Sequence, residues 1–459
     1  MRRVHIVFRC DGNETVGAGH VGRCVPIALA VRRAGHEVTF VGNYSGVAAM
    51  LLDEGSFETR PPEAGPAGLP RGADGVLIDH YDIPDDELAA VSLTCPVVAV
   101  RDLDGSMTGG AIGLDYHLDA SGVGLVGPDF APVDPSFTAC RHRPSGGPAL
   151  VALGGSTAGC EILPAIIEGL VHGSDSAINV VGELRAAPSD RVRSLGRLPG
   201  LASELAQSSA LICGAGVTAY EAACAGIPAL LVVLADNQDR VGRAFSGLAP
   251  VLQARVPPSA EAIAAAVQAL PQARIATAGP ALVDGLGGAR VREALLAAID
   301  GRPFPAVQRY RPATPADSDL LLSWRNDPRV RAVSRETDAI APATHRAWLT
   351  AALTNRDRTL LIVERSGAPV ATVRFDRGPL EAAISITVAA DRRGVGVGTQ
   401  AIAEATELEL AARPELQRVV AEVASGNEAS IRSFGSSGYR PLPVTAERPG
   451  GWVRLEAVR

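Results

Sequence analysis

Short runs that are apolar on both faces recur along the first two thirds of the chain, at Val4–Phe8, Val38–Val41, Val76–Asp79, Val97–Val100, Leu150–Leu153, Ile178–Val181 and Ala229–Val233. Helix-length segments separate them. A strand without a polar face must be covered on both sides, and strands joined through helices run parallel, so the pattern demands parallel sheets sandwiched by helices. A chain of 459 residues is also too long for one core. Two stretches rich in breakers divide it, Arg141–Pro148 (RHRPSGGP) and Gly301–Pro305 (GRPFP). The expected architecture is α/β: two doubly wound Rossmann-like lobes over residues 1–145 and 146–303, followed by a separate domain over 306–459. Paired lobes of this kind hold a ligand in the cleft at the carboxyl ends of their strands.

The third domain has a different grammar. A strand near Arg309–Arg311 leads to helices at Asp317–Asn326 and around His345–Leu353. Strands follow at Thr359–Glu364, Pro369–Asp376 and Ala382–Val388, then a glycine-rich loop and a helix over Thr399–Ala412. Strand Val419–Val423 and helix Glu428–Ser436 complete a compact α+β pattern.

Composition removes several function classes. A net charge of −7 and pI near 5.7 argue against a nucleic-acid partner. All 43 basic residues are Arg, which reads as genome composition and assigns no function. Cys10, Cys24, Cys95, Cys140, Cys160, Cys213 and Cys224 are odd in number and scattered, with no C-x-x-C pair. Neither a metal site nor a disulfide framework is expected from them, and reduced thiols fit a cytoplasmic protein. No signal-peptide core and no apolar stretch of transmembrane length is read, which points the same way.

Three glycine turns stand at strand ends. Gly17-Ala18-Gly19-His20 follows the first strand, where glycines let the backbone approach a ligand and helix amides face an anion. His20 at that mouth is suited to take a proton from water or a sugar hydroxyl; a glycine turn with a structural His is the alternative. Gly214-Ala215-Gly216-Val217-Thr218 opens a helix carrying Glu221. Its amides and the Thr218 hydroxyl suit a diphosphate and Glu221 a ribose, or it is an ordinary strand-to-helix turn. Gly154-Gly155-Ser156 is the third turn, and Asn237-Gln238 after Ala229–Val233 offers contacts to sugar or phosphate.

Arg9-x-Asp11, Gly17-x-Gly19-His20, Arg23-Cys24 and Ile78-Asp79-His80-Tyr81 resemble the UDP-sugar hydrolase of pseudaminic acid biosynthesis, a relative of spore-coat polysaccharide glycosyltransferase-like proteins. Gly154-Gly155-Ser156, the run Ala215 to Glu221 and Asn237-Gln238 resemble its nucleotide-binding half, so the similarity covers roughly residues 1–290. The resemblance implies a GT-B-like fold that hydrolyses a UDP-linked amino sugar. His20 and Asp11 would be catalytic, and Arg9, Gly17, Gly19, Asp79, His80, Tyr81, Gly155, Ser156, Gly216, Val217, Thr218, Glu221, Asn237 and Gln238 would bind the UDP-sugar. Val217 replaces a frequent hydroxyl residue, Asp119 a usual Asn, and Arg101-Asp102-Leu103-Asp104 is a loose version of a double-Asp segment. The enzyme that adds N-acetylglucosamine to lipid-linked muramyl peptide shares the His loop and the G-x-x-T-x-x-E element. That likeness leaves a glycosyltransferase as the alternative.

Arg393-Gly394-Val395-Gly396-Val397-Gly398 lies between a strand and a helix, where bare amides and the helix dipole can wrap a pyrophosphate. With Arg311-Pro312-Ala313, Asp317, Trp324-Arg325-Asn326-Asp327-Pro328, Asn427-x-x-Ser430 and Gly438-Tyr439, the region from about 307 to 459 resembles the GNAT N-acetyltransferase superfamily. The resemblance implies acetyl-CoA as co-substrate, bound by Val388, Arg393, Gly394, Val395, Gly396, Val397, Gly398, Asn427 and Ser430. Many members protonate the leaving thiolate with a Tyr where this chain has Phe434; Tyr439 matches an aromatic core position. Glu381 and Glu422 are candidate bases, each also readable as a strand-edge carboxylate. Jointly, the resemblances imply a bifunctional enzyme that N-acetylates a UDP-amino sugar and releases UDP from it, without a metal.

Overall fold

The computed structural model describes residues 2–13, 16–101, 110–141, 146–154, 157–184, 189–256, 258–442 and 451–459. It divides into two compact units, Met1–Pro305 and Ala306–Arg459.

The first unit contains two Rossmann-like lobes. In the first lobe, β1 (His5–Cys10), β2 (Glu37–Val41), β3 (Glu58–Arg60), β4 (Gly75–Asp79), β5 (Val97–Val100), β6 (Ile112–Asp115) and β7 (Leu125–Val126) pair in the order β3-β2-β1-β4-β5-β6-β7. Every pairing is parallel. In the second lobe, β8 (Ala149–Ala152), β9 (Ile178–Val180), β10 (Val192–Ser194), β11 (Ala210–Gly214), β12 (Ala229–Val233) and β13 (Val251–Gln253) take the order β10-β9-β8-β11-β12-β13, again all parallel. Both sheets reverse direction of winding once, between β1 and β4 and between β8 and β11. Helices leave the two neighbouring strand ends on opposite faces there, which opens a crevice at their carboxyl ends.

Central position explains the apolar runs. Ile6, Val7 and Phe8 of β1 have no exposed surface, and Phe8 stacks on Phe40 at 5.1 Å. A separate core fills the second lobe around Val151, Ile166, Ile212 and Val232. The edge strands β3, β7, β10 and β13 are two or three residues long, and all but β7 carry polar residues, so periodicity does not reveal them. The last helix of the unit, Gly287–Ile299, returns to the first lobe and packs on the helix Gly19–Arg33. There Arg292 donates to the Ala30 carbonyl at 3.1 Å. The 146–303 segment therefore supplies an element to the first lobe's surface.

The second unit is α+β, with β14 (Arg309–Pro312), β15 (Arg358–Arg365), β16 (Ala368–Arg377), β17 (Glu381–Val388), β18 (Arg418–Ala424), β19 (Arg440–Pro441) and β20 (Trp452–Val458) ordered β14-β15-β16-β17-β18-β20-β19. All neighbours are antiparallel except β17 and β18. That parallel pair joins only from Glu381↔Arg418 to Ile384↔Ala421, although β17 runs on to Val388 and β18 to Ala424. The two strands part beyond Ile384, leaving one edge of each without a ladder partner. No helix among the described residues is long and apolar enough to cross a membrane.

Candidate functional site

The crevice beside β1 and β4 gathers the charged residues of the first lobe. Asp11 directly follows β1. Its Oδ1 accepts from Arg9 Nη1 at 2.9 Å and the Asn43 amide at 3.0 Å, and Oδ2 faces His80 Nε2 at 3.1 Å. His80 Nδ1 accepts the Asp82 amide at 3.1 Å, so Nε2 carries the proton given to Asp11. Burial raises the Asp11 carboxyl, but the Asn43 amide, the Arg9 charge and His80 outweigh it and leave it below its ordinary value. Gly42 makes this packing possible: a Cβ there would stand 1.9 Å from the Cys10 carbonyl oxygen and 2.8 Å from Asp11 Oδ1. Arg9 also donates to the Ala67 carbonyl at 2.9 Å and thus serves as a brace for Asp11.

Asp79, the last residue of β4, anchors a second cluster. Arg23 grips it bidentately, Nε to Oδ2 at 2.5 Å and Nη2 to Oδ1 at 2.6 Å, and His20 Nδ1 lies 2.7 Å from Oδ1. The Asp79 side chain has no exposed surface. Burial pushes its pKa up, yet the Arg23 charge and the bonds from His20 and Arg23 prevail and bring it down to about 2. An ionised Asp79 can only accept, so its bond to His20 puts a proton on Nδ1, with Arg23 Nη2 3.2 Å from the same nitrogen. When the ring is neutral, Nε2 keeps its lone pair, and it has no hydrogen-bond partner among the described residues. This is the geometry of an oriented general base. His20 is the second residue of the helix Gly19–Arg33, and Gly17 takes a φ of +80° to deliver the chain there. The Tyr81 ring meets His20 edge-on at 4.7 Å and is 45% exposed, a wall of the mouth.

The second lobe adds the turn after β11. The helix Val217–Ala225 begins at Gly216 with no side-chain cap, which leaves the amides of Val217 and Thr218 to an anion. Gln238 accepts the Leu234 amide at 2.9 Å, and its amide nitrogen lies 3.7 Å from where a Gly214 Cβ would stand. The Asn237-Gln238 segment is thereby brought to the Gly214–Gly216 turn. Burial pushes Glu221 up to about 7, with the Thr218 hydroxyl offsetting part of that rise and Asp134 adding to it. Gly154 has a φ of +73°; Gly155, Ser156 and the segment 102–104 lie outside the described residues.

Sequence reasoning quoted Arg23 within a motif but gave it no role as the clamp of Asp79, and it missed a third His–Asp pair at the end of β6. There His117 Nδ1 lies 2.7 Å from Asp115 Oδ1, and Arg240 Nη2 binds Asp115 Oδ2 at 2.9 Å. Arg240 Nε also binds Asp119 at 2.9 Å. The D-x-H-x-D spacing from Asp115 to Asp119, at a strand end, is the signal that could have marked it.

In the second unit the glycine loop precedes the helix Val397–Ala412, whose N-cap Gly396 has φ +83° and no side-chain cap. A Cβ at Gly394 or Gly396 would meet nothing within 4 Å, whereas one at Gly398 would reach Val388 Cγ2 at 3.2 Å. Uncapped amides, open space above the loop and a helix held close to β17 fit an anionic pyrophosphate. Val397 is buried and offers only backbone, while Val395 is 62% exposed. Arg393 donates to the Val388 carbonyl at 3.1 Å and to Asp327 at 3.3 Å, so it is braced against strand and helix. Asn427 caps the helix Glu428–Ser436 through the Ser430 amide at 3.2 Å, beside the open edge of β18.

Proton donors for a leaving thiolate are absent where the family resemblance places one. Phe434 is buried and meets Tyr439 edge-on at 4.9 Å, and the buried Tyr439 hydroxyl is bonded to Thr406 at 2.7 Å. Burial pushes Tyr439 above its ordinary value, which further removes it from acid chemistry. Glu381 is held by Arg418 at 2.9 Å and Arg454 at 2.6 Å, and Glu422 pairs with Arg335. Among the described residues no group of three or more His, Cys, Asp or Glu is arranged to hold a metal ion.

Residues 309–440 match the family model described as acetyltransferase (GNAT) domain, and the second unit carries a domain of that type. Similar solved structures include aminoglycoside acetyltransferase AAC(6')-Ib in complex with coenzyme A, 18% identical over 33% of this chain and 95% of that one, with a TM-score of 0.30. Mycobacterium smegmatis RimJ in complex with CoA-disulfide is 20% identical over 33% and 82%, TM-score 0.29. Spermidine N-acetyltransferase from Vibrio cholerae with CoA and spermine is 14% identical over 33% and 95%, TM-score 0.30. No curated protein sequence matches this chain.

Proposed function

We propose that the chain is a bifunctional enzyme of nucleotide-sugar metabolism: its second unit transfers an acetyl group from acetyl-CoA to an amine, and its first unit releases UDP from a UDP-amino sugar. The observation that carries the first-unit reading is the His20–Asp79–Arg23 cluster, a base oriented through Nδ1 with Nε2 left to accept a proton. Asp79, His80 and Tyr81, on which the likeness to the UDP-sugar hydrolase rests, surround His20 and Asp11. Water is therefore taken as the nucleophile. Its proton passes to His20 Nε2, its oxygen bonds to the anomeric carbon, and the carbon–oxygen bond to the diphosphate breaks with its electron pair on UDP. The amides at Gly216–Thr218 and the Gln238 amide would hold the diphosphate.

The two Rossmann-like lobes support a broader reading as well: a glycosyltransferase joined to an acetyltransferase, acting on cell-surface glycans or secondary metabolites. There His20 would deprotonate an acceptor alcohol.

In the second unit, acetyl-CoA supplies the activated acetyl group. The loop Arg393–Gly398 would receive its pyrophosphate, and the unpaired edges of β17 and β18, with Asn427, its pantetheine arm. The incoming amine must be neutral to attack the thioester carbon, and CoA leaves as a thiolate, for which no protein acid is assigned. The test is His20→Asn. UDP release should fall by roughly 10²–10⁴-fold while CoA release from acetyl-CoA and amine stays intact. UDP release at the parent rate would overturn the role of His20.

A further inference from the structure

The first unit holds a second oriented imidazole that this reaction scheme leaves unused. His117 is buried, its Nδ1 donates to Asp115 Oδ1 at 2.7 Å, and Nε2 has no hydrogen-bond partner among the described residues. Asp115 ends β6 as Asp79 ends β4, so His117–Asp115 lies with His20–Asp79 and His80–Asp11 at the carboxyl edge of one sheet. Tyr116 links them: its ring stacks on His117 at 5.0 Å, and its hydroxyl accepts at 3.3 Å from Arg23, the clamp of Asp79.

Two contacts tie His117 to the second lobe. Asp115 spends its other oxygen on Arg240, two residues beyond Gln238. Tyr220, in the first turns of the helix that opens at Gly216, packs edge-on against Tyr116 at 5.2 Å and His117 at 6.3 Å. His117 thus touches one ring, Tyr116, that reaches the clamp of Asp79 and another, Tyr220, on the helix with the uncapped start.

We propose that His117 is a diphosphate-binding residue: Asp115 holds Nδ1–H, and a protonated Nε2 donates to a phosphate oxygen of the bound nucleoside diphosphate. The imidazolium then lies between two anions, Asp115 and the phosphate, with Arg240 and Asp119 balancing the outer side of Asp115. As the anomeric bond breaks, its electron pair moves onto the diphosphate, and the Nε2–H bond stabilises that charge without giving up the proton. This inference rests on the nucleotide-sugar reading of the first unit.

His117→Asn separates binding from scaffolding, because its amide can still donate to Asp115 while nothing replaces Nε2. His117→Gln instead restores a donor near the Nε2 position. Titrated with UDP and with uridine, His117→Asn should bind UDP about tenfold more weakly, with uridine unaffected and the Gln variant recovering part of the loss. Unchanged UDP affinity, or equal losses for uridine and UDP, would overturn the proposal alone. A parent protein that binds no UDP would remove the nucleotide-sugar reading and this inference with it.

Discussion

Asp79 carries more of the first site than any other side chain, since it fixes Arg23 and the tautomer of His20 together. Its folded pKa of about 2 lies below the ordinary Asp value near 3.9. The sign follows: the unfolded chain binds the proton more readily, so Asp79 contributes stability above about pH 4 that is lost as pH falls towards 2. Asp79→Asn takes the carboxylate charge away from the buried Arg23 guanidinium, and should cost about 3–5 kcal/mol in denaturant unfolding at neutral pH. It should also flatten the acid limb of the stability curve; an unchanged limb would remove Asp79 from that role. Tyr439 is the opposite kind of residue, an aromatic core position in the sequence reading and a buried one in place. Tyr439→Phe leaves the Thr406 hydroxyl without its partner, for about 1–3 kcal/mol of stability, while the acetyl-transfer rate stays at the parent value. A collapse of that rate with the fold intact would restore Tyr439 as an acid.

Strand ends and helix starts did the placing at the next scale, and they were legible to different degrees. Central strands such as β5 and β12 are bounded by their apolar runs, because burial on both faces admits few other residues. The edge strand β3 is Glu-Thr-Arg and wholly exposed, and nothing in a hydrophobic pattern marks it. His20, Asp79 and Tyr81 are a few residues from strand or helix termini, so the sequence locates them, yet their convergence depends on the β1–β4 switch. That is a property of strand order, which pairing across 69 and 59 positions decides and local pattern does not. The Arg393–Gly398 loop was legible because its glycines have a local cause. At Gly396 a side chain would be forced into φ +83°, at a cost of about 1 kcal/mol or more. Gly396→Ala, whose methyl meets no neighbour, should therefore weaken acetyl-CoA binding about fivefold in calorimetry through the backbone alone. Parent-like affinity would show that the loop's conformation is not required.

Across the whole molecule, each compact unit holds a self-sufficient set of groups, an oriented base in Met1–Pro305 and an anion loop beside a parted strand pair in Ala306–Arg459. On the proposed function, one chain bearing both would raise the effective concentration of an intermediate made by one unit and used by the other. Glu221 gives the first unit a pH dependence of stability. Its folded pKa near 7 exceeds the ordinary Glu value, so the folded state holds the proton more tightly and stability declines as pH rises from about 4 through 7. Glu221→Gln should remove that decline in thermal unfolding between those values, and a decline of parent slope would assign it elsewhere. The most direct test of the central claim supplies the protein with a UDP-4-amino sugar, with and without acetyl-CoA, and follows free CoA and UDP together. CoA release is expected on addition of acetyl-CoA, followed by UDP release in the absence of any acceptor alcohol. CoA release with UDP retained on the sugar until an acceptor alcohol is added would contradict that claim and make the first unit a glycosyltransferase.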